Sequence, residues 1–198
     1  KITNIVILDI FNKVSKENFI SEDKLNICYS DQDITVKDSR GYLKNLHLAQ
    51  ILNFSEIQND EKVLHIGGLT GYLSVLISKL CKDVYVTDND QECVENIERN
   101  FLENEITNGH VFKKNFSEGL PDEGPFDLII IDCPQYNINL DLLNQINVGG
   151  RIVYIEKIND ELSKAYKMTK YKNNYSKDFL FDVFSHLCLT KKIEGFNF

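Results

Sequence analysis

The 198-residue chain is the size of one domain, long enough to bury about 70% of the surface that its unfolded form exposes, so it needs no disulfide or metal staple. With 42% hydrophobic and 26% charged residues, and no apolar run near the roughly 20 residues of a bilayer span, the composition excludes a disordered chain or a helical membrane anchor and points to a cytoplasmic enzyme or binding domain. The formal net charge of -8 repels phosphate backbones and argues against a nucleic-acid partner, and the lysines from Lys164 to Lys177, with few arginines or aromatic partners, read as a solvated face.

In chain order, residues 1–57 predict two helices, about 4–12 and 43–54, joined by a polar loop rich in Asp and Ser. From residue 61 short apolar runs alternate with helix-period stretches: strand 63–66, helix 73–80, strand 84–86, helix 92–101 and strand 110–112. The strongest strand, "FDLIIID" (126–132), a helical 140–146 and a strand 150–155 behind the turn "NVGG" follow. Such runs of Val and Ile without strict alternation mark strands buried on both faces, hence an α/β domain with a mostly parallel sheet covered by helices. "YKMTKYK" and "FLFDVFSHLCL" predict extra C-terminal strands before the aromatic-rich "GFNF". The expected layout is one domain: an N-terminal segment 1–57 over the site, a cofactor-binding core 61–157 and C-terminal strands 158–198.

The first strand-to-helix turn, Gly67-Gly68-Leu69-Thr70-Gly71, lies where open α/β sheets bind ligands, and its glycines let backbone and ligand approach closely. Started at Gly67, the dinucleotide fingerprint G-x-G-x-x-G fails twice, at Leu69 and Tyr72; a G-x-G-x-G loop of the S-adenosylmethionine (SAM) type fails once, at Leu69. Leu69 either points into the helix–sheet core and leaves the crevice open, or fills the crevice and closes it. Asp88, at the end of the next strand, suits the two ribose hydroxyls of a nucleoside. The alternative is an aspartate of "TDND" that caps the following helix.

Together "VLHIGGLTGY", "VYVTDND", "FSEGLPDEGPFDLIIID" and "LLNQINVGGRIV" resemble the protein-L-isoaspartate O-methyltransferases, and "ILDIFNKVSKENFI", "RGYLKNLHLAQIL" and "LFDVFSHLCL...GFNF" extend the resemblance over nearly the whole chain, as in a divergent bacterial branch. The resemblance implies a Rossmann-like seven-stranded methyltransferase fold with SAM as cofactor. It also implies a cofactor site at Gly67, Gly68, Leu69, Gly71, Tyr72, Asp88 and Asn115 with Asp132 at its rim, and an isoaspartyl protein or peptide as acceptor in protein repair. The departures fall at the chemistry. His65 replaces the acidic residue two before the first glycine, Asn115 stands for the aspartate that meets the adenine amino group, and Leu43 stands where the active-site serine is expected, so no catalytic residue is assigned.

Methyl transfer to a carboxylate needs positioning and a dry pocket more than a base, because the acceptor is already a nucleophile. Two rival readings remain: a non-catalytic member that keeps the fold as a binding or scaffold protein, and an amine methyltransferase read from "DCPQY" (132–136), one residue longer than a (D/N)-P-P-(Y/F) tetrapeptide and equally explained by a proline turn. His47, His110 and His186 lack a second ligand at metal spacing, so no metal is expected, and Cys133 reads as a buried thiol. The five cysteines are odd in number, dispersed and never in a C-x-x-C pair, which fits a reducing compartment. The N-x-S triplets at Asn53, Asn115 and Asn174 are sequons in form only, since nothing at the N-terminus resembles a secretory signal. The chain opens on Lys1 and not on methionine, which leaves room for natural sequence before it.

Overall fold

A computed structural model of the protein describes residues 2–190. Helix α1 (Ile5–Lys13) starts where the Asn4 side chain accepts the Val6 and Ile7 N–H groups, and it buries Ile7 and Ile10 on one face. Two 3-10 turns lead to a hairpin, β1 (Ile34–Lys37) and β2 (Arg40–Tyr42), then α2 (Asn45–Ser55). The core continues as β3 (Lys62–Ile66), α3 (Tyr72–Ser78), β4 (Asp83–Asp88), α4 (Gln91–Glu103), β5 (Gly109–Lys113), β6 (Phe126–Gln135), β7 (Ile146–Lys157), β8 (Leu162–Lys170) and β9 (Tyr175–Phe184).

Seven strands form one sheet in the order β5-β4-β3-β6-β7-β8-β9. The first five run parallel, and β8 pairs antiparallel with both neighbours. Val63 to Ile66 and Leu128 to Ile131 are buried to within 1% of complete, as strands covered on both faces must be. Helices α3 and α4 fill the β3–β4 and β4–β5 crossovers, while α2 packs on β6, β7 and β8. Because β3 has β4 on one side and β6 on the other, the chain reverses its direction of travel across the sheet there, which opens a crevice at the carboxyl ends of β3 and β6.

Four expectations need correction. The polar loop of the N-terminal segment contains the β1–β2 hairpin, in which the strands approach so closely that a Cβ on Gly41 would lie 2.0 Å from the Ile34 carbonyl oxygen. The helix expected at 140–146 is a 3-10 turn, Leu140–Gln145, because β7 starts earlier than residue 150 and leaves no room for more. "FLFDVFSHLCL" is a strand only to Phe184, which pairs with Leu162, the first residue of β8; beyond it no ladder partner remains. Residues 185–190 instead cross to the hairpin, with the Cys188 N–H donating to the Ser39 carbonyl at 2.8 Å and the Ser39 hydroxyl to the Cys188 carbonyl at 2.9 Å. Finally, β6 does not stop at Asp132 but runs through Gln135 with a register shift, so Pro134 sits in an irregular strand and not in a turn. "GFNF" lies outside the described residues. Among the described residues no helix is long and apolar enough to cross a membrane.

Candidate cofactor crevice

The turn after β3 takes its shape from left-handed residues. Gly67 and Gly71 have φ of +85° and +90°, values that only glycine adopts freely, and Gly71 directly precedes α3. Gly68 serves packing: a Cβ there would stand 2.4 Å from Val86 Cγ1 and 2.8 Å from Ile97 Cδ1, so its absence lets β4 and α4 close on the turn. Leu69 holds φ of +58°, which costs about 1 kcal/mol for a residue with a Cβ. It is 4% exposed and belongs to the hydrophobic core, so it does not fill the crevice. Tyr72, expected beside the cofactor, is instead a core ring packed against Phe11, Phe19 and Tyr42. The turn is tied to the N-terminal segment: the Thr70 hydroxyl donates to the Phe19 carbonyl at 2.7 Å and is also hydrogen-bonded to the Tyr42 hydroxyl.

Asp88 closes β4 and is wholly buried. Its Oδ1 accepts the Asp90 N–H at 3.0 Å, and its Oδ2 accepts the Leu69 N–H at 3.0 Å and Arg40 Nη1 at 2.8 Å. The helix-capping role considered for it falls to Asp90, whose side chain accepts the Cys93 N–H. Arg40 comes from the hairpin, lies over the Phe116 ring at 5.0 Å and reaches Cys93 Sγ at 3.2 Å. Beside this pair is a cavity of about 430 Å³ lined by Arg40, Asn89, Asp90, Phe116, Leu189 and Thr190, among others. Asn115 is exposed and its amide nitrogen is bonded to Glu118, so its neighbour Phe116 lines the cavity in its place. Leu189 lies over the turn, its Cδ1 2.9 Å from where a Cβ on Gly67 would be.

On the other side of the turn His65 bridges two elements, its Nδ1 2.8 Å from Ser74 Oγ on α3 and its Nε2 3.0 Å from Asp132 Oδ1 on β6. Asp132, expected at the rim, is only 5% exposed because it faces this imidazole. The D-C-P-Q-Y stretch therefore presents no turn to a target amine, and the Tyr136 hydroxyl donates to Asp160 at 3.1 Å. Leu43 is fully buried. Burial pushes the Cys133 thiol well above its ordinary range. His47 stacks on Phe181 and His110 on Tyr85, whereas His186, expected in a strand, is exposed outside one with Nε2 2.9 Å from Thr35 Oγ1. No cluster of three or more His, Cys, Asp or Glu among the described residues could hold a metal ion.

An adenosine-bearing cofactor fits this donor set on one condition. A buried carboxylate at a strand end, an aromatic ring beside an open cavity and a glycine turn are present, but Asp88 already binds a guanidinium. Sequence reasoning missed Arg40, the His65–Ser74 contact and Leu189. The hairpin that carries Arg40 had a signal in the alternating Ile34 and Val36 followed by Gly41; the other two depend on tertiary packing alone.

Residues 2–187 match the family model described as Protein-L-isoaspartate(D-aspartate) O-methyltransferase (PCMT). A protein-L-isoaspartate O-methyltransferase of Myxococcus xanthus is 26% identical over 147 residues, which is 74% of this chain and 69% of that protein. One from a Jannaschia species is 30% identical over 136 residues, 69% of this chain and 60% of its own. Among solved structures, a Plasmodium falciparum protein described as such a methyltransferase, in complex with S-adenosyl-L-homocysteine, superposes with a TM-score of 0.78 at 20% identity, covering 96% of this chain and 93% of that one. Another protein-L-isoaspartate O-methyltransferase gives a TM-score of 0.79 at 19% identity over 91% of this chain, which spans 60% of that longer chain.

Proposed function

The chain belongs to the protein-L-isoaspartate O-methyltransferase family, and from that premise we propose that it transfers a methyl group from SAM to a carboxylate of a protein or peptide, with isoaspartyl residues as the acceptor class. The observation that carries this reading is the buried Asp88 carboxylate at the end of β4, beside a left-handed glycine turn and an open cavity. Asp88 would hold the ribose hydroxyls, Asn89 and Phe116 would flank the base, and the backbone from Gly67 to Gly71 would lie along the methionine part. When bound, the cofactor supplies an electrophilic methyl on a sulfonium. A carboxylate acceptor attacks it in line without losing a proton, so the protein's part is to orient the two partners and exclude water. Leu43 offers no hydroxyl for that orientation, which leaves it to other groups.

The five free, buried cysteines support a reducing, cytoplasmic setting. A specific observation favours the second reading, a non-catalytic member used as a scaffold: Arg40 occupies Asp88, and Leu189 covers Gly67. Isothermal titration with SAM and S-adenosylhomocysteine separates the two. Micromolar binding, followed by methylation of an isoaspartyl peptide with labelled SAM, supports the enzyme; no heat and no thermal stabilisation at millimolar ligand supports the scaffold.

A further inference from the structure

We infer that the outer edge of β9 is a docking surface for a second copy of this chain, paired antiparallel about a two-fold axis between Phe179 and Leu180, independently of the methyl-transfer reading. Strand β9 ends the seven-stranded order, and among the described residues no strand pairs with its outer side. Residues 185–190 do not run along this edge but cross to the β1–β2 hairpin. An edge of ten residues presents a row of unpaired N–H and C=O groups. It also carries large apolar side chains, with Tyr175, Phe179 and Phe184 at 45%, 54% and 72% exposure. Aromatic rings beside an open ladder are what a partner strand covers. Residues 151–198 hold nine Lys and Arg against six Asp and Glu, while the rest of the chain carries a net -11, so two copies meet at this end with the least repulsion.

The register with β8 decides which backbone groups point outward. The Tyr171 N–H donates to the Asn174 carbonyl and the Ser185 N–H to the Glu161 carbonyl, so hydrogen-bonded pairs alternate inward from both ends of the β8–β9 ladder. Ser176, Asp178, Phe181 and Val183 therefore bond to β8, whereas Tyr175, Lys177, Phe179, Asp182 and Phe184 turn their N–H and C=O groups to the free side. Leu180 is the extra residue of a bulge, which makes the outward residues odd-numbered before it and even-numbered after it. A two-fold axis at the bulge sets outward residues against outward residues: Tyr175 meets Phe184 and Lys177 meets Asp182, each pair occurring twice. A ring then faces a ring, and an ammonium faces a carboxylate. Sliding one copy by two residues in either direction sets Asp182 against Tyr175 or Phe179 and breaks both ion pairs. Lys177 and Asp182 are exposed in the single chain, where Lys177 also reaches Glu156 at 2.7 Å. Charges on an edge normally reject a partner strand; here they reject all but the self-complementary register.

Sedimentation equilibrium of the full chain between about 1 and 200 μM is expected to show the mass rising to twice that of one chain, as for a micromolar dimer. The mass of a single chain throughout overturns the inference. Asp182→Lys sets lysine against lysine at both ion pairs and is expected to weaken self-association about 10- to 100-fold. Lys177→Asp sets aspartate against aspartate, with the same result. Mixing the two variants restores opposite charges at both pairs, and a mixed dimer within about threefold of wild-type affinity is expected. A dimer indifferent to Asp182→Lys, or two folded variants that stay monomeric when mixed, overturns the proposed pairing. Should Lys177→Asp not fold beside Glu156, the wild-type protein still decides. Residue-resolved amide exchange, read by mass spectrometry, is expected to slow about tenfold at the outward N–H groups of Lys177, Asp182 and Phe184 between the lowest and highest concentrations. Equal rates there at both concentrations overturn the edge as the interface.

Discussion

Arg40 Nη1 lies 2.8 Å from Asp88 Oδ2, with the two side chains 8% and 0% exposed, so the carboxylate best suited to a ribose is held in a buried ion pair. The pair is also a link between distant segments, the hairpin and the end of β4. On the reading proposed above, a ribose at Asp88 competes with the guanidinium for the carboxylate. Stability and affinity are therefore opposed at this position. Arg40→Gln leaves a buried carboxylate short of its cation and is expected to lower unfolding stability by about 3 kcal/mol. It should also tighten S-adenosylhomocysteine binding by about tenfold, because no ion pair has to break. Urea unfolding and calorimetry on the same preparation check both signs; a variant that is less stable and also binds more weakly would mean that Arg40 supports the ligand and does not compete with it.

Leu69 is the residue that most breaks the glycine pattern, yet it does so facing inward. Replacing it with glycine relieves about 1 kcal/mol of left-handed strain but removes a leucine that is 4% exposed, a loss of about 3 kcal/mol. The expected net is a loss of about 2 kcal/mol with S-adenosylhomocysteine affinity unchanged. Chemical unfolding and calorimetry measure the two quantities, and a gain in affinity would show that the side chain, and not Arg40, is the obstruction.

Leu43 occupies the position of the family serine, but its side chain is wholly inside the core. Leu43→Ser would open a cavity and bury a hydroxyl, at a cost of about 3 to 4 kcal/mol. No rise in methyl transfer to an isoaspartyl peptide is expected. Activity at least tenfold above wild type would instead place residue 43 against the acceptor.

These variants also mark the boundary of what the sequence makes legible. The strands 63–66 and 126–132, like the helix from residue 92, were readable because burial on both faces, or on one stripe, writes itself into consecutive or i, i+3, i+4 apolar residues. Asp88 was readable as a strand-end carboxylate suited to ribose hydroxyls, with a helix cap as the alternative, but its complete burial was not. What captures it was not: Arg40 precedes it by 48 residues and reaches it only because a short hairpin folds over the crevice. The orientation of Leu69 was likewise invisible, since a left-handed leucine points opposite to what a helix-entry pattern suggests. The strand predicted through residue 189 stopped at Phe184 for want of a partner, a fact of register with β8 that no local pattern carries.

Lys16 offers a prediction independent of the cofactor. It is 1% exposed, its Nζ donates to Asn45 Oδ1 at 2.9 Å, and the rings of Tyr42 and Tyr72 lie 5.6 and 5.7 Å away. Burial pulls its pKa down from an ordinary 10.5 to about 8, against the opposing pull of Cys28 and Asp33. Below about pH 8 both folded and unfolded chains hold the proton, and the burial cost is present in full. Between about 8 and 10.5 the unfolded chain holds more protons than the folded one, so stability rises with pH. Relative to Lys16→Met, in which this group is absent and all other titrations are shared, the wild type is expected to gain about 2 kcal/mol between roughly pH 7 and 9.5. Parallel unfolding free energies for the two proteins across that window would show that Lys16 keeps its proton in the fold, with the aromatic rings and Asn45 offsetting the loss of water.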